Sequence, residues 1–357
     1  MAFNNVIITG MGSYIPSRKI TNKNFAESSF FTNEQERVYK PSVEIAEKLQ
    51  EITGIEERRY VKNSLCCSDI GFRAAQKAIE DAGIDPETID QIIFAHNFGD
   101  VEHGSKQSDM IPSLAARAKH LLGIENPNCV AYDILFGCPG WVQGMQQAYA
   151  FIKSGIAKTC LVIGSETLSR VVDPYDRDTM IFADGAGAAV VQLKEEDKQR
   201  GILSIASQSY TKDEAYYLYY GASYNPAENP EIKYIKMHGR KIYELGLSKV
   251  PPAMKQCLDE SGTSIDDLKK IFIHQANEKM DEAMVKRFYR QYKKPVPEAI
   301  MPMNIHKLGN SSVATVPTVY DMVLKGELEG HEVQAGDVIL FASIGSGMHI
   351  NAITYKS

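Results

Sequence analysis

Two stretches of this chain, AIEDAGIDPETIDQIIFAHN (residues 78–97) and QCLDESGTSIDDLKKIFIHQAN (256–277), follow one design. Each reads as the end of an amphipathic helix, a turn at Gly83 or Gly262, an acidic Ile-Asp segment, and a β-rich apolar strand running into a histidine. The histidines, His96 and His274, lie 178 residues apart. Two further pairs keep nearly that offset. TCLVIGSETL (159–168) and DVILFASIGSG (337–347) are buried-strand runs that break at Gly-Ser, and Gly137-Cys138 pairs with Gly309-Asn310, 172 residues on. Helical patterns follow both members of the last pair, WVQGMQQAYAFIKSG and SSVATVPTVYDMVLKG. Matches in order at similar offsets indicate duplication, and a repeat fixes the architecture before any single element does.

Short apolar strands alternating with helices make this an α/β chain with buried sheets. Helices are expected near 70–83, 110–122, 140–154, 237–261, 278–292 and 313–325. The halves divide near residue 195, after AGAAVVQLK, giving units 1–195 and 196–357. Residues 20–50 and the Tyr-rich segment 210–230 have no counterpart in the repeat, and insertions of that kind shape sites or interfaces.

At 357 residues the chain is long enough for two fused halves with a substantial core. A net charge of -6 argues against a nucleic-acid binder. Six cysteines without C-x-x-C or metal-ligand spacing read as reduced thiols, which favours the cytoplasm, and no metal is expected. The start, MAFNNVIITGMGSYIP, has no basic leader and only a short apolar run, so neither export nor a membrane span is expected.

Twofold pseudosymmetry places Cys138, in ILFGCPGW (134–141), and Asn310 at equivalent strand-to-helix turns facing one another. His274 ends a strand at the same edge. Ligands of open α/β sheets bind at the carboxyl ends of strands, so the three side chains should share one pocket. Cys138 alone could be a small buried hydrophobe. At a helix start, however, its thiol should fall below the free value of ~8.5 and serve as a thioester-forming nucleophile. Its amide and a second donor from Gly345-Ser346-Gly347 could form an oxyanion hole, though Gly-Ser-Gly also marks ordinary turns. His274 and Asn310 carry no acid beside them, which suits stabilising a thioester enolate better than activating water.

FGCPG, HQAN (274–277), GNSSVATVP (309–317), FADGAGAAVV (182–191), GSYIP, TGIEERRY (53–60) and DPYDRDTMIFADGAG occur in order along the whole chain. Their combination resembles the β-ketoacyl-acyl carrier protein synthase III group of the thiolase superfamily. That resemblance implies a duplicated, five-layered α-β-α-β-α thiolase-like fold, a homodimer and a decarboxylating Claisen condensation that needs no cofactor. It implies acylation of Cys138 by a primer thioester, then enolate stabilisation by His274 and Asn310 on malonyl-acyl carrier protein. The Cys138 and Ser346 amides would form the oxyanion hole, with Gly345, Gly347 and Asn277 around the substrate. Ser346 stands where glycine is usual.

Fatty-acid-initiating members carry a Trp and an Arg upstream of T-G-I to bind coenzyme A; here Lys48-Leu49-Gln50-Glu51-Ile52 stands instead, and a carrier protein could deliver both substrates. Met110, in the long polar loop 95–113, sits where the family closes the partner's acyl pocket, and is compatible with an unusual primer. Polyketide or other secondary metabolism fits these departures as readily as fatty-acid initiation. Acyl carrier protein is acidic, and Lys279, Lys286, Arg290 and Lys293 fall on one helical face directly after HQAN, either a docking patch or an ordinary solvated face. Three alternatives stay open: a non-decarboxylating condensing enzyme with Asp100 or Glu102 as base, an acyltransferase or thioesterase, and a non-catalytic carrier-binding subunit.

Overall fold

A computed structural model describes residues 2–357. The first half runs β1 (Phe3–Tyr14), β2 (Arg18–Thr21), α1 (Ser42–Thr53), β3 (Glu57–Tyr60), α2 (Cys67–Ala82) and β4 (Gln91–His96). It continues through α3 (Leu114–Leu121), β5 (Val130–Leu135), α4 (Gly140–Lys153), β6 (Thr159–Thr167) and β7 (Asp184–Glu196). The second half runs β8 (Gly201–Ser209), β9 (Leu218–Ala222), β10 (Lys233–Met237), α5 (Gly239–Glu260), β11 (Leu268–Ile273) and α6 (Glu278–Gln291). It ends with α7 (Ile305–Leu308), α8 (Thr315–Leu324), β12 (Val338–Gly345) and β13 (His349–Lys356).

One sheet has the order β1-β7-β6-β4-β5 and the other β11-β12-β13-β8. In β4, consecutive residues face opposite ways, as a strand covered on both sides requires. Ile92 and Phe94 pack with Ala74, Ala78 and Leu114 of α2 and α3, whereas Ile93 packs with Trp141 and Met145 of α4. β11 does the same: Ile271 and Ile273 meet Met254 of α5 and Met284 of α6, while Phe272 meets Tyr320 of α8. α4 and α8 therefore lie between the sheets, in one core with Val162, Phe341 and Ile353, and the other long helices cover the outer faces. This is the duplication that the repeat predicts, in the five-layered arrangement that the family resemblance implies. His96 closes β4, and His274 directly follows the equivalent strand β11.

The halves are not identical. The second sheet has no counterpart of β5; residues 299–304 run beside β11 with a bond from Ile271 N to Ile300 O (2.8 Å) but form no strand. The region 20–50, expected only as an insertion, carries α1. The helix expected from 110 starts at Leu114, because Pro112 precedes it and the Ser113 hydroxyl caps it by accepting from Ala116 N. The Tyr-rich insertion leads into the β9–β10 hairpin. Buried Lys236 of β10 anchors that hairpin, bonding Asp173 and Asp176 (3.1 Å) beneath the Tyr224 ring. Burial pushes the Asp176 carboxyl up to about 6, against the pull of Lys236. Among the described residues no helix is long and apolar enough to cross a membrane.

Candidate active site

Cys138 occupies the turn between β5 and α4, and this turn is pressed against the β12–β13 turn backbone to backbone. A Cβ on Gly345 would fall 2.4 Å from Cys138 N, and one on Gly137 (φ 66°) 2.6 Å from Ser346 N. Only glycine permits that approach. It brings the Cys138 and Ser346 amides to one spot, and among the described residues neither donates to a backbone carbonyl.

Asn310 is stapled to the FADGAG segment: its N donates to Ile181 O (2.9 Å) and its carbonyl accepts from Ala183 N (2.8 Å). Its side-chain Oδ1 accepts from Ser312 N (2.9 Å), and Ser312 Oγ donates to Cys138 Sγ (3.3 Å). His274, held by its N to Ala342 O (2.9 Å), turns its buried ring to the backbone of the same Ser312, and its Nδ1 has no partner among the described residues. Ser312 is thus the common neighbour of Cys138, His274 and Asn310; of these three only Cys138 lines the cavity above it, while His274 and Asn310 are buried beside it. Burial holds the His274 imidazole down at about 4, so it is neutral at physiological pH.

The thiol departs from expectation. Burial pushes Cys138 up to about 11, opposed by the Ser312 hydrogen bond and assisted by the nearby Glu166 carboxylate. The helix start offers little relief. Pro139 has no N–H, and Gly140 N is already used by Gly137 O (3.0 Å). Cys138 should still be the cysteine that iodoacetamide labels first: Cys67, Cys129, Cys160 and Cys257 are buried, and at Cys66, which also opens onto a cavity, the Asp100, Asp69 and Glu102 carboxylates oppose the thiolate, whereas Ser312 donates to the Cys138 sulfur. Its labelling rate should climb about tenfold per pH unit from 7 through 9, as the thiolate fraction does below the pKa. A plateau near pH 7 in stopped-time labelling would contradict that reading.

The cavity above Cys138 holds about 300 Å³ and is lined by Asn97, Phe98, Phe136, Tyr219, Tyr220, Ser346, Gly347 and His349. Its walls are aromatic: Phe98 and Tyr220 lie 5.3 Å apart, and Phe136 stacks on His349 at 4.1 Å. Asn277 is not part of it. Its side chain caps α6, accepting from Met280 N (3.1 Å), and faces a second cavity of about 330 Å³ with Ala276, Arg240 and Tyr243. Met110, half-exposed, lines a third cavity with Asp100 and Arg117, away from Cys138 of its own chain. Lys279, Lys286 and Arg290 are exposed along α6, but Lys293 lies past the helix end at φ 57°, off the expected face.

Of the proposed bases, Asp100 is fully engaged by Ser68 and Arg117, and Glu102 lies on the Met110 cavity. Sequence reasoning passed over Ser312, which GNSSVATVP contains, and Glu166, the one charged residue of the strand in TCLVIGSETL. A charge inside a buried strand was the signal available for Glu166.

Residues 132–211 match the profile of 3-Oxoacyl-[acyl-carrier-protein (ACP)] synthase III, and residues 258–357 that of its C-terminal part. A β-ketoacyl-[acyl-carrier-protein] synthase III of Vibrio vulnificus (strain YJ016) is 33% identical, covering 95% of this chain and 96% of its own. The chain belongs to the β-ketoacyl-[acyl-carrier-protein] synthase III family. A second relative of that description, from Halalkalibacterium halodurans, is 31% identical over 96% of this chain and 95% of its own. Among solved structures, the 3-oxoacyl-[acyl-carrier-protein] synthase III of Aquifex aeolicus VF5 superposes with a TM-score of 0.78 at 28% identity, covering 99% of this chain and 100% of its own. The priming β-ketosynthase of the R1128 polyketide pathway reaches 0.81 at 25%, covering 99% and 96%. The fold class is that of these synthases.

Proposed function

We propose that this synthase III family member is an acyltransferase, a ketosynthase that joins an acyl primer to a malonyl-type thioester on acyl carrier protein. The product serves fatty-acid or polyketide assembly. The observation that carries the reading is the meeting of Cys138, His274 and Asn310 around Ser312, beside the Cys138 and Ser346 amides, neither of which donates to a backbone carbonyl. The Cys138 sulfur attacks the primer thioester carbonyl; the carrier thiolate leaves and takes the proton. The malonyl group then loses carbon dioxide, its thioester oxygen gaining charge against the His274 imidazole and the Asn310 amide. The carbanion attacks the acyl-cysteine carbonyl, whose oxygen is held by the Cys138 and Ser346 amides, and collapse expels the sulfur. Both thioesters bring their own reactivity, so no cofactor enters. The test is incubation with acyl and malonyl carrier protein: carbon dioxide release together with a product longer by two carbons supports it, and acyl transfer without a new carbon–carbon bond overturns it.

A homodimer in the cytoplasm is the proposed working state. β5 is an open edge strand with Val130 and Leu135 more than half-exposed, the feature a second strand would cover. In such a dimer Met110 would serve the partner's cavity. Carrier protein would dock on Lys279, Lys286 and Arg290 along α6, the helix whose first turn lines the second cavity through Met280, with Lys293 beyond the helix contributing less. Lys286→Glu with Arg290→Glu should weaken carrier-protein binding roughly tenfold at low salt, with less effect at high salt where screening is strong. Unchanged affinity by calorimetry would remove the docking surface.

A further inference from the structure

Behind the nucleophile stands a carboxylate that the proposed reaction does not use. Glu166, near the end of β6, is 1% exposed and does not reach the cavity. Asn97 and Ser312, which line the cavity, separate it from Cys138. Asn97 Nδ2 donates to Glu166 Oε2 and also to Ser312 Oγ (3.1 Å), and Ser312 Oγ donates to Cys138 Sγ (3.3 Å).

We propose that Glu166 and Asn97 are positioning residues for the Cys138 nucleophile, fixing the direction of the Ser312 hydroxyl so that its proton points at the sulfur. The inference rests on the reading of Cys138 as nucleophile. The argument is one of donors and acceptors. An ionised carboxylate only accepts, so the Asn97 amide must turn its NH2 toward Glu166. The same nitrogen's second hydrogen meets Ser312 Oγ, whose oxygen therefore receives. The one hydroxyl hydrogen is left for Cys138 Sγ. If the amide turned over, its oxygen would take that hydrogen and the sulfur would lose its donor.

Three features hold the chain rigid. Asn97 follows His96, whose Nδ1 accepts from Gly99 N (2.9 Å) while Nε2 donates to Asp133 (3.0 Å). Asn97 N also points at Glu166 Oε1 (3.4 Å). Ser312 sits at φ 53°, a region disfavoured for a residue with a side chain, and is kept there by its N–H to Asn310 Oδ1.

The groups facing Glu166 are His96 of β4, Asp184 of β7, Cys67 of α2 and Cys138 itself. Burial raises its carboxyl to about 7, with His96 and Asn97 opposing, so at pH 8 it is largely ionised. On the sulfur, Glu166 has two opposite effects. Its charge disfavours the thiolate, whereas the Ser312 bond it orients favours it, and the bond is the larger of the two.

That opposition gives the test a sign. Iodoacetamide alkylation of Cys138 at pH 8, followed by intact mass, is measured for wild type, Ser312→Ala, Asn97→Leu and Glu166→Ala, each checked for folding by circular dichroism. The relay expects each single change to slow alkylation by roughly three- to tenfold, on the scale of one typical hydrogen bond. The Asn97→Leu/Ser312→Ala double variant should be no slower than Ser312→Ala alone within about twofold, because both remove the same bond. Simple electrostatics expects the reverse for Glu166→Ala, since deleting a negative charge would speed alkylation. Faster or unchanged alkylation in Glu166→Ala, or losses that multiply in the double variant, overturns the relay. Should Glu166→Ala not fold, an unchanged rate in Asn97→Leu overturns it equally. Failure of the wild type to label at Cys138 would instead sink the nucleophile assignment, so the two failures are distinct.

Discussion

Cys138→Ala is expected to abolish condensation, lowering product formation by at least about 10⁴-fold, on the scale seen when a covalent nucleophile is deleted. Among the described residues Cys138 is the one cysteine that lines the aromatic cavity, and it is the proposed carrier of the primer. Loss of carbon dioxide from malonyl carrier protein should survive, because its two stabilising side chains are supplied by the other half of the chain and do not depend on the sulfur. The vacated volume is small, and Gly137 and Gly345 keep the backbone approach that aims the Cys138 and Ser346 amides. The measurement pairs mass detection of the β-ketoacyl product with a separate assay of carbon dioxide release. Continued product formation would refute the covalent route. Simultaneous loss of both activities with the fold intact would show that decarboxylation waits on acylation of this site.

The architecture was readable because a duplicated chain states its own symmetry twice. His96 and His274 could be paired by spacing alone, and the pairing placed Asn310 opposite Cys138 without any knowledge of contacts. Properties set by burial were not readable. A cysteine at a helix start suggests an acidic thiol from sequence, but Pro139 removes one amide donor, Gly140 spends the next, and the enclosing core lifts the pKa instead. Asn277 looked like a ligand because it belongs to HQAN; three-dimensionally it answers a more local demand, the free amides of α6. Lys293 continued the helical spacing on paper, whereas the helix ends at Gln291 and the chain turns left-handed. Glu166 was hidden for the opposite reason. A strand that is mostly apolar conceals its one charged position, and only packing reveals that the side chain and amide of Asn97 make this carboxylate tolerable.

His274→Ala and Asn310→Ala should each slow decarboxylation and condensation by about 10² to 10³, the usual loss for one donor to a developing oxyanion. Acylation of Cys138 by the primer should remain within several-fold of wild type, because that step draws on the Cys138 and Ser346 amides. The pH dependence sharpens this division. His274 has its folded-state pKa depressed to about 4 by burial, so it takes up a proton only below that value and stays neutral from pH 5 to 9. A neutral ring donates one hydrogen to the thioester oxygen without carrying a charge that must be desolvated, and the rate of decarboxylation should show no inflection near 6.5 arising from this group. The same depression affects stability in acid: unfolding releases a histidine of ordinary pKa, so as pH falls through about 6.5 the unfolded chain gains protons that the folded site refuses, and stability declines. Intact-mass acylation time courses beside carbon dioxide release, across pH 5 to 9, decide the matter. Equal loss of both half-reactions in either variant, or an inflection near 6.5 that disappears in His274→Ala, would overturn this division and make the imidazole a proton-transfer group acting on the sulfur, with Asn310 alone at the enolate.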